Sequence, residues 1–133
     1  MHFYISEEKE KLQIDRVVEL LHNTYWAAAR TRSMIEESIK NSVCYGVYDS
    51  DRDILIGFAR VLTDYATTYY LCDVVVDEEC RGNGIGKALL QHIVSDTRYE
   101  GFKGILLTKD AHGFYKHYGF QEEPVRCMLR SNW

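Results

Sequence analysis

Apolar and polar positions along the chain change period twice, and those changes mark out its elements. Ile14, Val17, Val18, Leu20 and Leu21 share one face at helical spacing and predict a helix over about residues 13–22. Ahead of it, His2 to Ile5 reads as a short strand and the mixed-charge run Ser6 to Lys11 as a solvated turn. Ser33, with Glu36 three positions on, forms a capping-box pattern that starts a second helix ending near Asn41. Val43 to Asp49 and Ile54 to Thr63 are strand-like and flank the turn-rich Ser50-Asp51-Arg52-Asp53, so they predict an antiparallel hairpin. Both faces of the second run are largely apolar, which suits a central strand covered on both sides. Tyr69 to Val76 is a further strand, followed by a glycine-rich turn at Arg81 to Gly86. Helical spacing returns at Ile85, Ala88, Leu89 and Ile93, over about residues 84–96. Gly104 to Thr108 reads as a short buried strand and Ala111 to Tyr118 as a short helix ended by Gly119. Val125 to Leu129 supplies a last strand. The order β-α-α-β-β-β-α-β-α-β predicts an α/β fold, a mixed sheet with helices on both faces.

Composition narrows the class without changing that picture. At 133 residues with 46% hydrophobic positions, the chain predicts one domain, 1–133, with an ordinary core. No unbroken apolar run exceeds six residues, the length of Val43 to Tyr48, far short of the roughly 20 that span a bilayer. No basic region followed by an apolar stretch opens the chain, so a soluble, cytoplasmic protein is expected. A formal charge of −4 argues against nucleic acid as a partner. Cys44, Cys72, Cys80 and Cys127 form no CxxC pair, which predicts reduced thiols and no metal site.

The segment Val74-Val75-Val76-Asp77-Glu78-Glu79-Cys80-Arg81-Gly82-Asn83-Gly84-Ile85-Gly86-Lys87 carries the chemistry. Alternate glycines at a strand-to-helix turn let backbone approach a ligand, and the helix start adds unpaired N–H groups, so the natural guest is a phosphate. Neither common phosphate loop fits by spacing. A Walker loop fails at Arg81 and Ala88, and a dinucleotide fingerprint at Lys87 and Leu89. What remains is R-x-x-G-x-G behind a strand. With Ala111-His112-Gly113-Phe114-Tyr115-Lys116-His117-Tyr118-Gly119-Phe120 further on, it resembles the GNAT superfamily of N-acetyltransferases, whose pyrophosphate loop and A-x-x-F-Y-x-x-x-G-F segment have these forms.

The resemblance implies a mostly antiparallel sheet with a splayed parallel pair, Tyr69–Val76 and Gly104–Thr108, that takes acetyl-CoA as co-substrate. Backbone of Val74, Val75 and Val76 would pair with the pantetheine arm, with an N–H near Val74 on the thioester carbonyl. Arg81, Gly82, Asn83, Gly84, Ile85, Gly86 and Lys87 would hold the pyrophosphate, though Arg81 and Lys87 also read as surface charges. Tyr115 matches the tyrosine that protonates the departing thiolate, and a phenol with reference pKa near 10 is competent as an acid. Tyr118 and Phe120 belong to the core. Thr108 stands where many members carry Asn, and its hydroxyl can make only part of an amide's contacts.

The base and the acceptor site stay open. Asp73, a charge in an apolar strand, reads either as the general base or as the anchor of a neighbouring element. Asp64, Tyr65, His112 and His117 are further proton-transfer candidates with surface roles as alternatives. By resemblance, Tyr25, Trp26, Arg30 and Arg32 between the first two helices wall the acceptor site; Trp26 as a core plug with solvated arginines is the alternative. The function implied is acetyl transfer to a small-molecule or peptide amine by direct attack, against a non-catalytic acyl-CoA-binding module of the same fold. An exposed last strand could pair with a copy of itself in a homodimer.

Overall fold

The period-two stretch in the middle of the chain becomes the centre of a sheet. The computed structural model describes residues 1–131. Its elements are β1 (Phe3–Ser6), α1 (Ile14–His22), α2 (Arg32–Lys40), β2 (Val43–Asp49), β3 (Ile54–Thr63), β4 (Thr68–Val76), α3 (Ile85–Val94), β5 (Lys103–Leu106) and α4 (His112–Lys116). Among the described residues the strands form one sheet in the order β1-β2-β3-β4-β5. Neighbours are antiparallel except the final pair, β4 and β5, which run parallel. The mixed sheet with helices on both faces is what the pattern predicts, and the mostly antiparallel order with one parallel pair is what the resemblance implies.

The sheet separates two apolar clusters. On one face Val17, Leu20 and Leu21 of α1 and Ile35 and Ile39 of α2 pack on Tyr48, Leu55, Phe58 and Val75. On the other, Ile85, Leu89, Leu90 and Ile93 of α3 pack on Tyr45, Val47, Ile56, Ala59, Val61 and Leu71. β3 contributes to both clusters, which is why its two faces are apolar in sequence.

Three expectations need correction. The cap of α2 is Thr31, whose hydroxyl accepts the Met34 N–H at 3.2 Å, and not Ser33. Arg32 is therefore already helical, and its guanidinium bonds Glu36 at 2.8 Å and Asp15, so Glu36 is bound there instead of reaching back to a cap. Thr31→Ala should cost about 1 kcal/mol of stability, whereas Ser33→Ala should stay within about 0.5 kcal/mol. Chemical denaturation of the two variants checks the assignment. Second, β5 ends at Leu106 and is half-exposed, because α1 and α2 stop short of it. Third, Val125–Leu129 is no strand: a turn at 124–126 leads into exposed backbone that joins no sheet among the described residues.

Candidate active site

β4 and β5 pair from Thr68 opposite Lys103 to Leu71 opposite Leu106, and no further. β4 runs on to Val76, so its second half has no strand partner on the β5 side. Within that half lies a bulge. Arg60 pairs with Cys72 and Phe58 with Val75, leaving Asp73 and Val74 together opposite Ala59. Asp73 takes the left-handed conformation, with φ of 54°. One consequence is parity: Leu71 and Val74 both pack toward α3, which strict alternation forbids. Another is that the registers give Val74 no strand partner on either side.

The turn after β4 is held from behind. Asp77 donates its N–H to the Ile56 carbonyl at 2.8 Å and its carboxylate meets Arg16 of α1 at 2.6 Å. Cys80 is buried, and the Asn83 amide donates to its carbonyl at 2.9 Å. Gly82 and Gly84 have φ of 85° and 77°, and a Cβ at either would meet only open space. Space therefore does not demand these glycines; the left-handed backbone and the openness above it do. Gly84 is the residue before the first turn of α3, whose leading N–H groups lack helical acceptors. Such a cradle suits a phosphate. Arg81 and Lys87 are exposed beside it, and Arg81 has only a loose contact with Glu78 at 3.8 Å. Gly84→Ala should cost about 1–2 kcal/mol through its left-handed backbone, measurable by thermal unfolding.

Tyr115 lies on α4, packed with Val74, Val76 and Leu106 against the α3-side cluster. Phe114 and Phe120 set their ring edges against it, at 5.1 and 6.2 Å between centroids. Burial pushes its phenol up to about 12. Thr108 begins the turn into α4, its hydroxyl accepting the Ala111 N–H at 3.0 Å. Its own proton stays available.

Asp73 has a defined set of partners. The bulge turns its carboxylate to the α1–α2 side, where Arg60 Nε (2.6 Å), Arg30 Nη1 (2.7 Å) and Trp26 Nε1 (3.0 Å) all donate to it. Burial alone would raise this carboxyl, but Arg60 and Arg30 outweigh it and hold it below the usual carboxylate range. These contacts tie β4 to β3 and to the segment between α1 and α2 through one carboxylate. The same contacts take Trp26 and Arg30 out of the solvent-facing wall, and Arg32 points to Asp15 and Glu36 instead of toward the cleft. Of the four acceptor-wall candidates, Tyr25 is the one left open: it is exposed, edge-on to Trp26 at 5.0 Å, with its hydroxyl accepting the Lys109 N–H at 3.1 Å. Asp64 is also occupied: the Thr67 hydroxyl donates to it at 2.6 Å and the N–H groups of Thr67, Ala66 and Thr68 add to that, and these bonds lower its pKa. Tyr65 is exposed on the loop leading into β4, and His112 lies 3.9 Å from Glu122. Sequence reading missed Arg60, although an arginine inside the apolar run of β3 was the available signal.

Among the described residues no group of His, Cys, Asp and Glu is placed to hold a metal. No helix among them is long and apolar enough to cross a membrane.

The family profile described as "Acetyltransferase (GNAT) domain" matches residues 40–122, more than half of the chain. The chain is 33% identical over 107 residues to GCN5-related N-acetyltransferase 2, chloroplastic, of Arabidopsis thaliana, taking in 78% of this chain and 42% of that one. It is 35% identical over 71 residues to Serotonin N-acetyltransferase 2, chloroplastic, of Oryza sativa subsp. japonica, covering 52% of this chain and 36% of that one. A crystal structure from Xanthomonas campestris pv. campestris, assigned to the GNAT family, superposes with a TM-score of 0.92 and 34% identity over 98% of this chain and 94% of that one. The chain spans less than half the length of these two curated relatives.

Proposed function

The chain belongs to the GNAT acetyltransferase family, and from that premise we propose that its β4–β5 cleft takes acetyl-CoA and passes the acetyl group to a primary amine by direct attack on the thioester. The observation that carries this reading is the bulged, half-paired β4 leading into a left-handed glycine cradle at the start of α3. In this reading residues 1–133 work as one domain, in the cytoplasm, although both curated relatives named above are chloroplastic.

When bound, the donor supplies an activated carbonyl and a thiolate leaving group. Gly82 to Lys87 offer backbone N–H groups to its pyrophosphate, with Arg81 and Lys87 adding charge. Val75 and Val76 present their open backbone edge to the pantetheine arm, and Thr108 its hydroxyl. Val74, outside both strand registers, directs its N–H to the carbonyl oxygen, where a fixed donor is worth roughly 3–4 kcal/mol. Tyr115 gives its phenolic proton to the sulfur. Burial raises that phenol to about 12, so it carries its proton at neutral pH and can deliver it. The attacking amine loses its proton to water on the open acceptor side, since Asp73 is occupied by two guanidiniums.

The acceptor is read as a primary amine on an apolar or aromatic body, because the open part of its wall is Tyr25, set edge-on to Trp26. The rice relative is named for an amine of that kind. An amine panel tests the proposal: aromatic ethylamines, polyamines, amino sugars and a lysine peptide, each with acetyl-CoA and free thiol as the readout. Amine-dependent thiol release with an acetylated product is expected. Binding of acetyl-CoA with no release across the panel would point to a non-catalytic acyl-CoA module instead.

A further inference from the structure

One primary amine of the chain itself stands at the open part of the acceptor wall. Lys109 follows Thr108 in the turn between β5 and α4, and its N–H donates to the Tyr25 hydroxyl at 3.1 Å. Its side chain folds back over the same tyrosine, with Nζ 5.5 Å from the ring centroid, a cation over an aromatic face. Tyr25 in turn lies near Tyr115: burial is the main cause that raises the Tyr115 phenol, and Tyr25 and Asp110 add to it. The Thr108 hydroxyl fixes the turn by accepting the Ala111 N–H at 3.0 Å. The other lysines are placed elsewhere. Lys116 pairs with Glu122 at 3.0 Å, Lys9 reaches the Lys40 carbonyl at 3.2 Å and Lys11 lies over Tyr4. Lys103 opens β5 opposite Thr68, at the end of the ladder away from Thr108, and Lys87 belongs to the phosphate cradle.

We propose that Lys109 is a self-acetylation site, whose Nζ takes the acetyl group from acetyl-CoA bound to the same chain when no other amine occupies the Tyr25 side. The inference rests on the acetyl-transfer reading and adds an acceptor to it. The Lys109 ammonium first gives a proton to water. Its lone pair then attacks the thioester carbonyl carbon, so that a C–N bond forms and the C–S bond breaks. Tyr115 protonates the leaving sulfur, and the second proton shed by the nitrogen returns to the phenolate through water. The products are an amide on Lys109 and the free thiol, with one proton released in all. The modification alters the site it comes from. An acetylated Lys109 has no charge, so its attraction to the Tyr25 ring is lost, and it cannot react again. Each chain therefore takes up one acetyl group and then presents Tyr25 without a competing cation.

Incubation of the chain with acetyl-CoA alone, followed by intact-mass measurement and peptide mapping, tests the proposal. One acetyl group per chain is expected, on Lys109, with a rate constant independent of protein concentration. An amine from the panel that is turned over should slow the labelling, because it competes for the Tyr25 side. Lys109→Arg should remove the label with unchanged circular dichroism, since the side chain is exposed and the bond to Tyr25 comes from the backbone. Tyr115→Phe should slow the labelling by about a hundredfold. An unlabelled wild-type chain that still releases thiol with added amines would overturn the inference and leave the acetyl-transfer reading standing, whereas neither label nor release would overturn both. Label spread over other lysines, a rate that rises with protein concentration, or labelling as fast in the heat-unfolded chain or in Tyr115→Phe would each overturn it as well.

Discussion

Replacing Tyr115 by Phe should lower turnover by about a hundredfold or more, the range of a lost general acid, while acetyl-CoA binds as before. The ring stays, so the packing against Phe114, Phe120 and the α3-side cluster stays with it. Only the proton is removed. The pairing of the two effects carries the argument, because a merely structural tyrosine would alter stability or binding and leave the chemical step alone. Steady-state rates together with a direct acetyl-CoA titration separate these outcomes. Unchanged turnover would remove Tyr115 as the acid.

The second large effect is expected at Asp73. Removing one member of a buried ion-paired cluster typically costs about 3–5 kcal/mol, because the charges left behind lose their partner without regaining water. Asp73→Ala leaves Arg60 and Arg30 facing each other across the bulge with Trp26 Nε1 unbonded. For a domain of this size that is a fall in Tm of roughly 10 °C or more. Trp26→Phe, which loses a single hydrogen bond of the cluster, should cost only about 1 kcal/mol. The cluster also sets an acid limb. The folded Asp73 carboxyl titrates below its ordinary value of about 3.9, so its stabilisation is complete above that pH and is lost as pH falls through the folded value. Asp73→Asn should flatten that part of the acid unfolding curve relative to the native chain.

Legibility in sequence followed whether a feature is set locally or by a distant partner. β2 and β3 match the expected Val43–Asp49 and Ile54–Thr63 because alternation and a turn-rich tetrad are both local. The glycine cradle is local too, and two of its three glycines prove to be left-handed. The cap of α2 was ambiguous because Thr31 and Ser33 are both hydroxyls near the right place; the pull of Asp15, from another helix, on Arg32 goes with the earlier start. The bulge in β4 left only one trace, a charge at Asp73 in an apolar run, and its meaning needed Arg60 and Arg30 from other elements. Val125–Leu129 has strand-forming residues, but the turn at 124–126 takes its first two out of any ladder, and local composition says nothing of a missing partner. Tyr25 was separable from Trp26, Arg30 and Arg32 only once the partners of the latter three were known.

The central claim is that the cleft beside β4 and its glycine cradle are built for acetyl-CoA. Thermal unfolding with and without saturating acetyl-CoA, with NAD and ATP as controls, tests it most directly. At about a hundredfold over Kd, binding adds roughly 2.7 kcal/mol, a rise of several degrees, and the account predicts that rise for acetyl-CoA alone. A folded chain whose midpoint does not move with acetyl-CoA, or moves equally with NAD or ATP, would contradict it.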